Sequence, residues 1–449
     1  MTGAKPHTRA TRSSYPRWRA RIFAAIWVGY GAYYLCRANI SLAIPAIMAE
    51  FGLSRTAVGA ITTSLFVAYA AGQFFNGQLV DRMGGRVLLA AGALVSAALN
   101  LGFGFAGTAA VMTLLWLGNG YFQAMGWPST VKTVANWFPP RTRGHMSGWL
   151  GTSYQVGNAY SWLLAGCLIA NAGWRWAFWA PAVILAVVGV IVYLVLRDAP
   201  EQVGLPSIER EGESHAPAAR PTAAVAVACD LATVADEEPA YAGLRFTLRQ
   251  SLANPRVWLV GAAFMALQLP RYGFIVWVPT YLFETQGGDI GTVTLKVIAL
   301  PLAGCFGSVV SGWATDRFFQ SRRAPVIVVT LVVLAGLTFV FPHIPAERVG
   351  LTLAFLMLIG ATTYGPDILM AGTIAMDLGT RKAAGSAAGL IDALGYVGAS
   401  ITAVAGGWLA DHYGWNWAFV LWAGGALLGA MLMALMWNYR PRGDTSRTP

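Results

Sequence analysis

A chain of 449 residues that is 56% hydrophobic and 11% charged, with a mean hydropathy of +0.54, lies outside the range of soluble globular proteins. Its net charge of +11 does not mark a nucleic-acid-binding domain, because the basic residues fall between apolar runs and gather on no polar, aromatic-interleaved face. Apolar runs of bilayer-spanning length recur along nearly the whole chain, where a transmembrane barrel would show short alternating segments, so an all-α membrane protein is expected.

Residues 1–21 carry Lys5, Arg9, Arg12, Arg17, Arg19 and Arg21. They read as a basic tail with no signal-peptide cleavage pattern, held in the cytoplasm by the positive-inside rule. Twelve helical spans are predicted, six of them in an N-terminal half (22–197), near 22–48, 57–80, 87–106, 110–135, 145–170 and 175–196. Six more fill a C-terminal half (256–439), near 256–283, 292–315, 324–342, 349–377, 383–408 and 416–438. Between the halves, 198–255 turn to Pro, Glu, Asp, Arg and Ala with few aromatics, the composition of a largely disordered cytoplasmic linker. Residues 440–449 close the chain as a second cytoplasmic tail. Arg82, Arg86, Arg141, Arg143, Arg317, Arg322, Arg323, Arg381 and Lys382 fall in turns on one side, which supports both termini facing the cytoplasm.

The halves repeat. Gly173-Trp-Arg-Trp-Ala-Phe178 and Gly414-Trp-Asn-Trp-Ala-Phe419 open the last span of each half, offset by 414 − 173 = 241. Asp81-Arg82 and Asp316-Arg317 close equivalent spans, offset by 316 − 81 = 235. Such a parallel repeat relates the halves by a pseudo-two-fold axis along the membrane normal, with a site at mid-depth between them.

Two arginines fall inside spans at nearly the same offset, 271 − 37 = 234. Arg37 lies midway between Arg21 and Glu50, and Arg271 lies within Leu267-Gln-Leu-Pro-Arg271-Tyr-Gly-Phe274. A guanidinium stays charged at any accessible pH. Holding it at mid-bilayer costs about 2.5–3.5 kcal/mol, so each is expected to face a cavity or a partner. Two facing forks of donors suit a tetrahedral anion; the packing alternative is an ion pair such as Arg37 with Asp392. Asp367 and Asp392 read as neutralisers of the arginines, as protonation sites, or as partners for an ammonium on a substrate. The cysteines Cys36, Cys167, Cys229 and Cys305 have no metal-ligand or redox spacing, and no histidine sits mid-span, so no metal or cofactor is expected. No span or loop gathers a nucleophile, a base and a metal, which argues against an enzyme.

At these residues the chain resembles the major facilitator superfamily and, within it, the organophosphate:phosphate antiporters. Gly77-Gln-Leu-Val-Asp-Arg-Met-Gly-Gly-Arg86 and Gly312-Trp-Ala-Thr-Asp-Arg317 are similar to superfamily loops. Three further stretches are similar to the antiporters: Gly29-Tyr-Gly-Ala-Tyr-Tyr-Leu-Cys-Arg-Ala-Asn39, Arg271-Tyr-Gly-Phe-Ile-Val-Trp-Val-Pro-Thr-Tyr281, and Tyr364-Gly-Pro-Asp-Ile-Leu369 with Arg381-Lys-Ala-Ala-Gly-Ser-Ala-Ala-Gly389. The resemblance implies that Arg37 and Arg271 bind phosphate and that Tyr30, Tyr34, Tyr69, Tyr364 and Tyr396 line the pore, although helix packing or interfacial anchoring would also account for each tyrosine. Two positions depart: Gln73 stands where the glycerol-3-phosphate branch has a lysine, and Tyr154 where it has a histidine. With Asp367 and Asp392, Tyr154 completes the candidate substrate site.

The implied function is a secondary transporter, monomeric, in the cytoplasmic membrane. It would move an organic phosphate or phosphonate anion in exchange for inorganic phosphate by alternating access. A proton- or sodium-coupled organic-anion symporter and a non-transporting sugar-phosphate sensor stand as alternatives.

Overall fold

A computed structural model describes residues 9–206, 252–287, 289–319, 322–374 and 384–439. Most of the predicted linker (207–251), residues 1–8, the turn at 375–383 and the tail from 440 lie outside the described residues.

Among the described residues the chain is helical throughout, and it crosses the bundle twelve times. The first crossing is α1 (Arg9–Tyr33) continued by α2 (Ile40–Phe51), followed by α3 (Arg55–Met83) and α4 (Gly85–Gly104). The fourth crossing is also broken, into α5 (Ala109–Gln123) and α6 (Gly126–Trp137); α7 (Pro140–Ala172) and α8 (Trp176–Val195) complete the half. The second half holds α9 (Pro255–Gln286), α10 (Ile290–Phe318), α11 (Ala324–Val340), α12 (Val349–Ile368), α13 (Ala384–His412) and α14 (Trp415–Ala434). Helix α1 begins well before the predicted span. Arg19 sits within it and donates from Nε to the Trp137 carbonyl at 2.9 Å, so part of the basic tail is helical and packed against α6.

Local chemistry sets the ends. Ser54, Thr108 and Asp289 cap α3, α5 and α10 with side-chain oxygens, which satisfies orphan N–H groups of the first turn. Gly173 and Gly414, the first residues of the repeated motif, take φ of 92° and 85°, a left-handed conformation that only glycine adopts freely. Large apolar side chains such as Leu194 (60% exposed), Phe306 (69%) and Met431 (64%) point outward, as expected of a lipid-facing surface.

The halves meet where α3 runs along α13, α7 along α10, and α2 against α9. At the end of the bundle marked by Arg55 they are fastened. Arg55 binds Asp411 at 3.1 Å and Glu284 at 2.8 Å across the interface, and Asp411 accepts from the Thr56 N–H at 2.8 Å, capping α3 from the other half. The duplication is visible in this fastening. In the first half Glu50 accepts from Trp174 Nε1 at 2.7 Å and binds Arg175 at 2.5 Å. Its repeat equivalent Glu284 (284 − 50 = 234) accepts from Trp415 Nε1 at 2.9 Å (415 − 174 = 241). Asn416 stands where Arg175 would repeat, and Arg55 of the opposite half fills the vacated role.

Backbones then touch down the interface: Gly59 lies against the Ala403 carbonyl, Gly407 against that of Arg55, and Thr63 donates to the Ser400 carbonyl at 2.9 Å. Further along, the ring of Tyr69 lies 4.4 Å from that of Tyr396. A Cβ placed at Gly77 of α3 or Gly389 of α13 would meet nothing within 4 Å, and the same holds at Gly312 of α10, the equivalent of Gly77. Among the described residues the interface is closed at the Arg55 end, and the space beside these three glycines is open.

Candidate functional site

Helix α1 stops at Tyr33, Tyr34–Cys36 form a tight turn, and α2 resumes at Ile40, so Arg37 projects from an interruption at mid-depth. An interruption frees backbone carbonyls, which in lipid must find partners inside the protein. Two amides of α5 supply them: Asn119 Nδ2 donates to the Cys36 carbonyl at 2.8 Å and Gln123 Nε2 to that of Tyr33 at 3.0 Å. Ser96 ties the amides together, donating to Asn119 Oδ1 at 2.6 Å and accepting from Gln123 Nε2 at 2.8 Å. Asn39 anchors the far side through the Ala177 carbonyl at 2.8 Å. These polar groups are at most 1% exposed and uncharged, so the break is held without adding charge beside Arg37.

Arg37 itself is 7% exposed. One Nη donates to Tyr396 Oη at 2.9 Å and to Tyr272 Oη at 3.4 Å, both across the interface between halves. Its guanidinium lies 4.2 Å from the Tyr69 ring and 5.2 Å from that of Tyr34, cation–π contacts worth roughly 0.5–2 kcal/mol each. Among the described residues no carboxylate pairs with it.

Arg271 is placed differently. Helix α9 runs unbroken through Pro270, and Arg271 Nη1 binds Asp367 Oδ1 of α12 at 3.0 Å. The same nitrogen donates to Gln268 Oε1 at 3.2 Å, and Asp367 also accepts from Gln268 Nε2 at 3.3 Å and Tyr154 Oη at 3.4 Å. Tyr364 and Tyr154 stand 5.2 and 5.9 Å from the guanidinium, while its buried Nε has no hydrogen-bond partner among the described residues. Among the described residues the packing alternative, an ion pair of Arg37 with Asp392, does not form; the pair present is Arg271 with Asp367. Asp367 neutralises Arg271, because Tyr364 and Asp367 stand three residues apart on α12 and turn the same face toward α9.

Between the arginines and the closed end lies a cavity of about 520 Å³, counting space open to solvent, lined by Tyr34, Arg37, Tyr154, Arg271, Tyr272 and Tyr364 among others. The structure brings together Arg37, Arg271, Tyr34, Tyr69, Tyr154, Tyr364, Asp367 and Tyr396. Asp392 lies one turn from Tyr396 on α13, within electrostatic reach of Arg37, Arg271 and Asp367 but bonded to none. Tyr30 is set back, its ring against Tyr34 at 5.9 Å and Trp127 at 5.5 Å, outside the cavity lining. Sequence reasoning passed over Tyr272 and Gln268. Both had a signal: one is adjacent to Arg271 and the other stands three residues before it, on the same helix face. Among the described residues no group of three or more His, Cys, Asp or Glu is placed to hold a metal ion.

The chain matches the Major Facilitator Superfamily over residues 26–403. It is 32% identical to the glycerol-3-phosphate transporter of Bacillus subtilis over 439 residues, 96% of this chain and 95% of the relative. A probable hexose phosphate transport protein of Chlamydia muridarum is 30% identical over 95% of this chain and 92% of its own, and the Escherichia coli membrane sensor protein UhpC is 27% identical over 93% and 92%. Among solved structures, a bacterial homologue of the human lysosomal transporter Spinster, inward-facing and occupied, superposes with a TM-score of 0.73 at 14% identity over 96% of this chain and 97% of that one.

Proposed function

Because the chain belongs to the Major Facilitator Superfamily and, within it, to the organophosphate:phosphate antiporter family, we propose that it moves an organic phosphate or phosphonate anion across the membrane in exchange for inorganic phosphate. Arg37 carries this reading: a buried fork of donors in a tyrosine box, at the interface of two halves, with no carboxylate paired to it among the described residues. Tyr34, Tyr69, Tyr272 and Tyr396 shape the phosphoryl end, and Arg271 with Asp367, Tyr154 and Tyr364 forms the facing wall.

Exchange follows from charge. With Arg271 neutralised by Asp367, the cation without a bonded carboxylate among the described residues is Arg37. Closing the halves over an empty site leaves that cation buried and unpaired, at a cost of several kcal/mol. Closing over a bound anion buries a pair. The carrier therefore crosses loaded far faster than empty. With the termini in the cytoplasm, the basic Arg86 end is the cytoplasmic one, the side from which cytoplasmic phosphate would reach Arg37. We take the working unit to be a monomer in the cytoplasmic membrane, since the proposed site is complete within one chain. The likeness to UhpC keeps a binding-only sensor as the second reading.

Uptake of labelled inorganic phosphate into proteoliposomes decides between them. Preloading with unlabelled phosphate is expected to accelerate uptake strongly in the wild type and little in Arg37→Lys; equal rates with and without preloading would rule exchange out.

A further inference from the structure

Four ionisable side chains, Arg37, Arg271, Asp367 and Asp392, lie within electrostatic reach of one another at this site, and their pairing is uneven. Arg271 and Asp367 are joined at 3.0 Å. Among the described residues the Arg37 guanidinium donates to tyrosine hydroxyls alone. Asp392 is half-buried and, among the described residues, forms no hydrogen bond or ion pair, although it stands one turn from Tyr396, which accepts from Arg37. A cation and a carboxylate thus flank the same stretch of α13, near each other and not bonded. In a medium of low effective dielectric they attract by several kcal/mol at contact, so holding them apart leaves two unmet charges that a ligand can bridge.

The formal charge of the four groups is zero: two arginines, two aspartates. An organophosphate dianion with an uncharged tail brings the occupied site to −2, with its tail beside an unpaired carboxylate. A ligand that carries an ammonium a few atoms from its phosphoryl group meets Arg37 at one end and Asp392 at the other, and leaves a smaller buried charge. Burying unpaired charge is what the interior penalises most.

We infer that the substrate is zwitterionic, an aminoalkyl phosphonate or an amine-bearing phosphate ester, with Asp392 as the residue that selects its ammonium. This rests on the phosphoryl-binding reading of Arg37 and narrows its substrate class. Asp367 is not the selecting residue, because Arg271, Gln268 and Tyr154 already occupy it.

The test compares two isosteres, 2-aminoethylphosphonate and n-propylphosphonate, by the concentration of each that half-maximally stabilises the purified protein against thermal unfolding, with inorganic phosphate alongside. The wild type is expected to prefer the aminated ligand by about tenfold or more, the contribution of one charge-assisted hydrogen bond. In Asp392→Asn the ratio is expected to fall to about one, whatever the absolute affinities. A wild-type ratio near one overturns the inference without touching phosphate binding, and that comparison stands even if the variant does not fold. A preference that survives Asp392→Asn or Asp392→Ser overturns the assignment to Asp392. Failure of inorganic phosphate and both phosphonates to stabilise the wild type contradicts the phosphoryl-binding reading itself.

Discussion

Arg37 projects from a break in its helix and, among the described residues, pairs its guanidinium with tyrosines alone, whereas Arg271, its equivalent in the second half, sits in an unbroken helix against a carboxylate. The duplicated fold places both at one depth, yet each half meets the expense of a buried cation in its own way. The first half spends buried amides, Asn119 and Gln123, on satisfying the broken backbone and leaves the guanidinium's charge available. The second half keeps its backbone intact and cancels the charge with Asp367. A symmetric scaffold therefore carries an asymmetric pair, one guanidinium without a carboxylate among the described residues and one already neutralised.

The sharpest way to break this contrast is Asp367→Asn. It retains a side chain for Gln268 and Tyr154 but strands Arg271 as an unpaired buried cation, which is expected to cost about 3–5 kcal/mol of stability. Thermal unfolding in detergent would register it, and the double variant with Arg271→Gln should recover most of the loss. An unchanged melting temperature would mean that the pair contributes nothing. In the first half the corresponding weak point is neutral. Asn119→Leu leaves the Cys36 carbonyl and the Ser96 hydroxyl without their partner and should cost roughly 1–3 kcal/mol. Because the two shells share no partner, the losses from Asn119→Leu and Asp367→Asn should add; strong coupling between them would show that the halves do not support their arginines independently.

Much of this was legible in the sequence. The arginine positions, the Gly-Trp-x-Trp repeat and the spans follow from composition and offset, because a charge at mid-bilayer and a fixed spacing are local facts. The break around Arg37 was not legible, since no proline or glycine lies between Tyr33 and Asn39 and its supports come from α5, some eighty positions later. The choice of Asp367 over Asp392 as the partner of an arginine was hidden for a similar reason: it depends on how α12 is rotated about its axis, which packing decides. Tyr272 escaped because neighbours on a helix diverge by about 100°, so the residue next to Arg271 serves Arg37 instead.

The central claim, that Arg37 is the open arm and Arg271 the neutralised one, is tested most directly by calorimetric titration of inorganic phosphate into Arg37→Lys and Arg271→Lys, each against the wild type. Loss of the free fork should weaken binding on the order of 10- to 100-fold in Arg37→Lys, and clearly less in Arg271→Lys. An equal loss in both, or a greater one at Arg271, would contradict the account.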